Sequence, residues 1–267
     1  MAKPTPLSAA KISLAAFNEV LGRYPACIQA ISQDKGAKPG QKTLAELDEY
    51  RYGEAVTAFG PEKADTKFLG VDEVKTLVEW KLRHGKFRPT LMKLVSSNDP
   101  DLVQTTVQDA VKQYRDKSDI SGALGILTKL KGIGPATASL LLAVHDPDHV
   151  IFFADEAYYW LCGDGKKVPL RYNVKEYNSL CQRSQALSQR LGVKAIDIER
   201  VAFVLMRQES GNVAAARATL DPEPSVSSVA KVTPPKTKRK TVDDDANDPE
   251  PPVRRSKRTK HSFESEA

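Results

Sequence analysis

The sequence predicts an all-α protein that ends in a long polar tail, on three observations. Apolar residues recur at helical spacing almost throughout residues 7–215. One short segment, His149-Val150-Ile151-Phe152-Phe153, reads as strand, and five residues do not make a sheet. Composition then changes sharply near Leu220, beyond which Pro, Ser, Lys, Arg and Asp dominate and aromatics are nearly absent.

The helical elements follow in order. Leu7 to Ile31 keeps apolar residues on one face, with an interruption near Pro25. Thr43 to Phe59 is rich in the strong helix formers Leu, Ala and Glu. Residues 71–85 start with Asp72 as an expected N-cap, carry Val74, Leu77, Val78 and Lys81 along one face, and stop at Gly85. The chain restarts after Pro89. It runs helical again from Asp99 to Tyr114, with Pro100 in the first turn where a missing N–H costs nothing. Ser121 to Lys129, Glu176 to Leu191 and Ile196 to Arg207 complete the set, and no tandem repeat is visible. A helical domain over residues 1–219 and a tail over 220–267 are the expected units. The tail lacks the apolar residues to offset its ordering entropy, so disorder is expected there.

Composition narrows the function. Hydrophobic residues at 40% and charged residues at 28% are ordinary for a water-soluble domain. No apolar run approaches the ~20 residues of a membrane helix, and the N-terminus has no secretory pattern. Cys27, Cys162 and Cys181 are far apart and form no CxxC pair, which argues against a thiolate zinc site and for a reducing compartment. His145 and His149 are separated by Asp-Pro-Asp, which breaks any helix that would pair them on a metal. No transition-metal site is expected.

The net charge is +6. The tail holds ten basic and nine acidic residues, so residues 1–219 keep most of the excess. Two basic clusters stand in the tail: Lys236, Lys238, Arg239 and Lys240, then Arg254, Arg255, Lys257, Arg258 and Lys260. Such clusters read as nuclear import signals, with an import receptor as partner, ahead of direct DNA affinity, because the acidic spacer between them cancels much of the local field. A merely solvated charge run is the plainer reading.

The densest signal is Leu127 to Val144, LTKLKGIGPATASLLLAV. Gly132 and Gly134 can take positive φ or let the backbone approach a ligand closely. Pro135 suits the first turn of the following helix. Amides around Gly132 to Ala136 then point outward at a positive helix end, which suits a phosphate oxygen. Ile133 tucks back between the helices. An ordinary tight turn between packed helices is the alternative.

Leu130 to Ala138 resembles the hairpin of the helix-hairpin-helix DNA glycosylase superfamily, where a leucine, a variable residue, Gly-hydrophobic-Gly, two variable residues and Thr-Ala recur. The resemblance implies a glycosylase-like helical domain with its hairpin at 121–144. It implies grip on a double-stranded DNA backbone through Lys131, Gly132, Ile133, Gly134, Ala136 and Thr137, and a monovalent cation on hairpin carbonyls. An essential aspartate follows the hairpin in that superfamily, and Asp155 falls near the corresponding distance. Its carboxylate would stabilise positive charge on a sugar as the base departs, or help activate water. Capping of the helix Glu156–Leu161 is the alternative role for Asp155. Bifunctional members place a lysine just before Thr-Ala; Ala136 stands here and cannot form a Schiff base. The iron–sulfur cysteines of some relatives are absent.

Blocks 77–99, 130–144 and 152–160 are also similar to the eukaryotic Amun-like family, which implies a nuclear protein with a glycosylase-like fold and no particular reaction. Within the first block, Lys81, Arg83, His84, Lys86 and Arg88 gather positive charge, with Trp80 and Phe87 interleaved. Lys86 and Arg88 are candidate nucleic-acid contacts. Trp80 and Phe87 are expected in the core, and Tyr158, Tyr159 and Trp160 either line a base pocket or join the core. Three functions are carried forward: a DNA-binding protein that is a monofunctional glycosylase, a non-catalytic scaffold or chromatin-associated protein with the same fold, and an RNA-facing protein.

Overall fold

The computed structural model describes residues 7–63 and 67–218, with side chains up to Arg207. The described residues contain helices and no strand. The tail from 220 and its two basic clusters lie outside them.

The helices are α1 (Leu14–Gly22), α2 (Tyr24–Lys35), α3 (Leu44–Glu49), α4 (Ala55–Phe59), α5 (Val71–His84), α6 (Leu91–Ser96), α7 (Pro100–Lys117), α8 (Ile120–Leu127), α9 (Pro135–His145), α10 (Asp155–Cys162), α11 (Val174–Leu191) and α12 (Ala195–Ala218). Pro25 starts α2 in its first turn rather than breaking it. Between α3 and α4, Tyr50–Glu54 widens into a π-turn, so Thr43 to Phe59 is one helical run with an inserted residue. Side-chain caps set several starts. Thr43 and Glu46 form a reciprocal box on α3, Asn173 and Glu176 another on α11, and Asp99 caps α7. Asp72 does not cap α5. The helix begins one residue earlier, behind Gly70, whose N–H donates to Glu73 at 3.0 Å, and Asp72 pairs with Lys75 instead.

Helix α9 is the hub. Every residue from Ala136 to His145 is buried, which explains why its sequence has no polar face. It packs on α4, α5 and α8, while α12 gathers α1, α2, α10 and α11. Residues 149–153 join no ladder: His149 closes a turn and Val150 N–H bonds back to Asp146 O at 3.0 Å. The next two phenylalanine amides go to side chains: Phe152 N–H donates to Glu199 Oε1 at 2.6 Å and Phe153 N–H to Ser139 Oγ at 2.9 Å. Those bonds satisfy buried backbone that a sheet would otherwise serve.

A polar cluster lies inside the core. Arg51 is wholly buried, 3.5 Å from Glu199, with its guanidinium over the Tyr52 and Trp80 rings. None of its side-chain nitrogens has a hydrogen-bond partner. Asp48 accepts from Tyr24 Oη at 2.8 Å and Trp80 Nε1 at 2.9 Å. Burial pushes the Glu199 carboxyl up, and Arg51 pulls it back. Trp80 is therefore core, as expected.

Candidate nucleic-acid interface

The turn between α8 and α9 spans residues 128–134. Ile133 is buried between the helices, and its N–H donates to Leu130 O at 3.2 Å. Asn98, just past α6, clasps the turn: Oδ1 accepts from Lys131 N–H at 2.8 Å and Nδ2 donates to Lys131 O at 2.9 Å. Gly132 has φ +77°, and a Cβ there would stand 3.0 Å from Leu94 Cβ. That side of the turn is covered by α6. Gly134 is extended, and a Cβ there would meet nothing within 4 Å.

This geometry divides the six residues expected to hold a phosphate backbone. The amides of Lys131, Ile133 and Thr137 are engaged, by Asn98 Oδ1, Leu130 O and Gly134 O respectively. Those three do not supply free amides. The amides of Gly132, Gly134 and Ala136 find no acceptor among the described residues, and all three residues line one cleft. Lys131 keeps an exposed side chain. The carbonyls of Leu130, Lys131 and Gly134 already accept N–H donors. A hairpin cation of the kind the resemblance implies would draw on the carbonyl lone pairs that remain.

The cleft encloses about 660 Å³, within the ~300–1,000 Å³ usual for ligand sites. The end of α5 and the loop after it supply one part. Gly85 stops the helix, its N–H bonding Lys81 O at 3.0 Å, and the loop then carries Lys86, Phe87 and Arg88 outward. Phe87 is 73% exposed. This corrects the expectation that it is core, and the reason is local: Gly85 and Pro89 bracket a loop that leaves the helical face.

The start of α10 supplies the facing chemistry. Ala154 is the N-cap, so Asp155 is the first helical residue, and its alternative role as the cap does not apply. Its side chain is free of its own helix. Oδ2 takes an ion pair from Lys86 Nζ at 2.9 Å, and Oδ1 accepts a short hydrogen bond from Tyr172 Oη. Tyr172 itself has φ +54°, an uncommon conformation for a bulky residue. Arg88 stands over its ring at 5.8 Å. Burial, reinforced by Asp155, pushes the Tyr172 phenol up, so it stays a donor. The next residue, Glu156, pairs with Arg207 Nε at 3.2 Å in the cleft wall. Arg207 also donates to His84 O at 3.1 Å, which ties α5, α10 and α12 together at the cleft wall.

Six cations line the cleft: Lys81, Lys86, Arg88, Lys167, Arg171 and Arg207. They face two acids, Asp155 and Glu156. An anion is the ligand such a surface favours. Lys86 is 70% exposed at the side chain, and Asp155 holds it above the ordinary lysine range. Lys81 behaves oppositely. Burial, with Arg88 adding to it, lowers its amine to about 8, although Asp155 opposes the fall.

Asp155, Lys86, Arg88, Gly132, Gly134, Ala136 and Thr137, singled out from the sequence, thus line one cleft. Tyr172, Arg171, Lys167, Arg207 and Asn98 were not legible, because nothing local marks them. Tyr159 lines the cleft, while Trp160 is buried with Nε1 on Leu7 O at 2.7 Å. His145 and His149 take separate partners, Phe59 O and Asp146. No cluster of three or more His, Cys, Asp or Glu suited to a metal occurs among the described residues, and no helix there is long and apolar enough to cross a membrane. No family model, curated protein or solved structure matches the chain.

Proposed function

We propose that this chain is a nuclear DNA-binding protein of the helix-hairpin-helix glycosylase type, and that its cleft removes a base by hydrolysis. One observation carries the reading: unpaired amides at Gly132, Gly134 and Ala136, a cationic rim and the Asp155 carboxylate share a single cleft. The amides and the rim suit a phosphate chain, which supplies affinity without sequence preference. A base drawn out of the stack would enter beside Asp155. As the N-glycosidic bond breaks, the sugar gains positive charge, and a fixed carboxylate stabilises it where that charge develops. Tyr172 holds the carboxylate in one orientation. Lys86 is exposed enough to exchange Asp155 for a phosphate and so uncover Oδ2. The basic tail clusters would carry the protein to the nucleus through an import receptor.

A second reading, a non-catalytic scaffold or chromatin-associated protein, draws support from the same site. Both Asp155 oxygens have protein partners, as befits a carboxylate that only holds the loop. Two measurements separate the readings. Affinity for duplex DNA should fall steeply with salt, and Lys86→Ala and Arg88→Ala should each lower the log–log slope by about 1. Incubation with damaged duplex should release free base, and Asp155→Asn should abolish release while binding persists. Binding without release selects a DNA-binding, chromatin-associated protein that is not an enzyme; neither binding nor release, with copurifying partners, selects the protein scaffold.

A further inference from the structure

We propose that the base this cleft accepts is a deaminated one, uracil or hypoxanthine, with a ring carbonyl where cytosine or adenine carries an amino group, and that Arg207 reads that carbonyl. This rests on the reading that the cleft removes a base, and it adds which class of base.

The balance of hydrogen-bond donors and acceptors selects the class. Lysine and arginine side chains only donate, and six of them line the cleft. The two carboxylates that line it are both engaged. Asp155 accepts from Tyr172 on Oδ1 and takes Lys86 on Oδ2 at 2.9 Å. Glu156 takes Arg207 Nε at 3.2 Å. An amino group on an entering base would set donor against donor and forfeit its partner in water. A carbonyl in the same place meets donors.

Arg207 is the donor fixed for that task. Its Nη2 donates to His84 O at 3.1 Å and its Nε pairs with Glu156, so the guanidinium is held at two points on the cleft wall beside the start of α10. Neither contact uses Nη1. Lys86 and Arg88 stand instead on the exposed loop after α5, where a phosphate chain can reach them.

The same charge pattern favours the way such a base leaves. The C1′–N bond breaks with its electron pair on the base nitrogen, and the negative charge spreads onto the ring carbonyl beside a fixed cation. Water bonds to C1′ through its oxygen, and its proton ends on the departed base, leaving neutral base and base-less sugar. A base that is already a cation, such as N7-methylguanine, is repelled by this lining. Thymine carries the same carbonyls, but paired with adenine it stays in the stack. Deamination creates a mispair, which costs least to open.

The test compares bases on the full chain. Duplexes of one sequence hold uracil·guanine, hypoxanthine·thymine, N7-methylguanine·cytosine or, as a mispair of two amino-bearing bases, adenine·cytosine. Free base is measured by mass spectrometry and duplex affinity by fluorescence anisotropy. Uracil and hypoxanthine should be released at least about tenfold faster than N7-methylguanine or adenine. Arg207→Lys keeps the charge but not the fork, and should shrink that ratio severalfold while affinity for undamaged duplex holds; an unchanged ratio overturns the part given to Arg207. The comparison on the unaltered chain needs no variant to fold. Preferred release of N7-methylguanine, or equal release of all bases, overturns the proposal and leaves base removal intact. If no base is released, the base-removal reading fails and affinity decides. Binding to uracil·guanine at least about threefold tighter than to adenine·cytosine supports recognition of the deaminated base, and no preference overturns it.

Discussion

Asn98 and Lys131 exchange two hydrogen bonds, at 2.8 and 2.9 Å, across the gap between the end of α6 and the α8–α9 turn. The clasp fixes the chain one residue before Gly132, so the amides that follow are positioned by α6 as much as by their own glycines. Asn98→Ala removes both bonds and should cost about 2 kcal/mol in urea unfolding. Duplex affinity should weaken beyond what the unfolded fraction explains. Unchanged affinity in a fully folded variant would separate the turn from binding.

The two glycines should respond differently to alanine. Gly132→Ala puts a side chain at φ +77°, 3.0 Å from Leu94, and should cost about 1–3 kcal/mol. Gly134→Ala meets open space in an allowed conformation, so stability should stay within about 0.5 kcal/mol. Its methyl group would still stand where a phosphate chain approaches, and duplex binding should drop. Thermal melting and fluorescence anisotropy on the same preparations check both halves.

Tyr172→Phe deletes the hydroxyl that orients Asp155 while keeping the ring under Arg88. Base release should slow by about tenfold or more with duplex affinity preserved. A matching fall in binding would instead assign Tyr172 to DNA contact.

The buried Arg51–Glu199 pair should be costly to break from one side. Glu199→Gln leaves a wholly buried guanidinium uncompensated and should cost about 3–5 kcal/mol. Arg51→Met with Glu199→Gln, which removes both charges, should recover much of that loss. Chemical denaturation of the single and double variants measures the coupling.

Acid should destabilise the fold through His145. Burial lowers its imidazole to about 4, from an ordinary 6.5, while Nδ1 stays on Phe59 O at 2.9 Å. The unfolded chain takes up its proton near pH 6.5 and the folded chain only near 4. Stability contributed by the neutral ring is full above 6.5 and is lost as pH falls to 4, by roughly 3 kcal/mol. Buried His84, also lowered, acts with the same sign. Urea midpoints at pH 7.5, 6 and 5 should fall in order, and His145→Gln should flatten the decline.

The helices were legible because their signals are local: apolar spacing, Pro100 in a first turn, Gly85 as a stop; Pro25, read as an interruption, instead opens α2. Gly132 and Gly134 were legible as a turn for the same reason, whereas Asp155 was singled out only through a family resemblance. Of the two roles left open for Asp155, capping fell away, because a cap depends on backbone geometry that Ala154 supplies equally well. Phe87 was taken for core because its neighbours are apolar, yet the loop between Gly85 and Pro89 lifts it away.

Thus the sequence by itself determined an all-helical chain, with a glycine turn buried on its Ile133 side. Only the tertiary structure decided which amides stay free, that Tyr172 and Lys86 share the two oxygens of Asp155, and that Arg207 lines the same cleft. The reason is physical. Periodicity and turn chemistry act over a few residues, whereas the clasp of Asn98 on Lys131 and the hydrogen bond from Tyr172 to Asp155 join groups 33 and 17 residues apart, which meet only when separate helices pack.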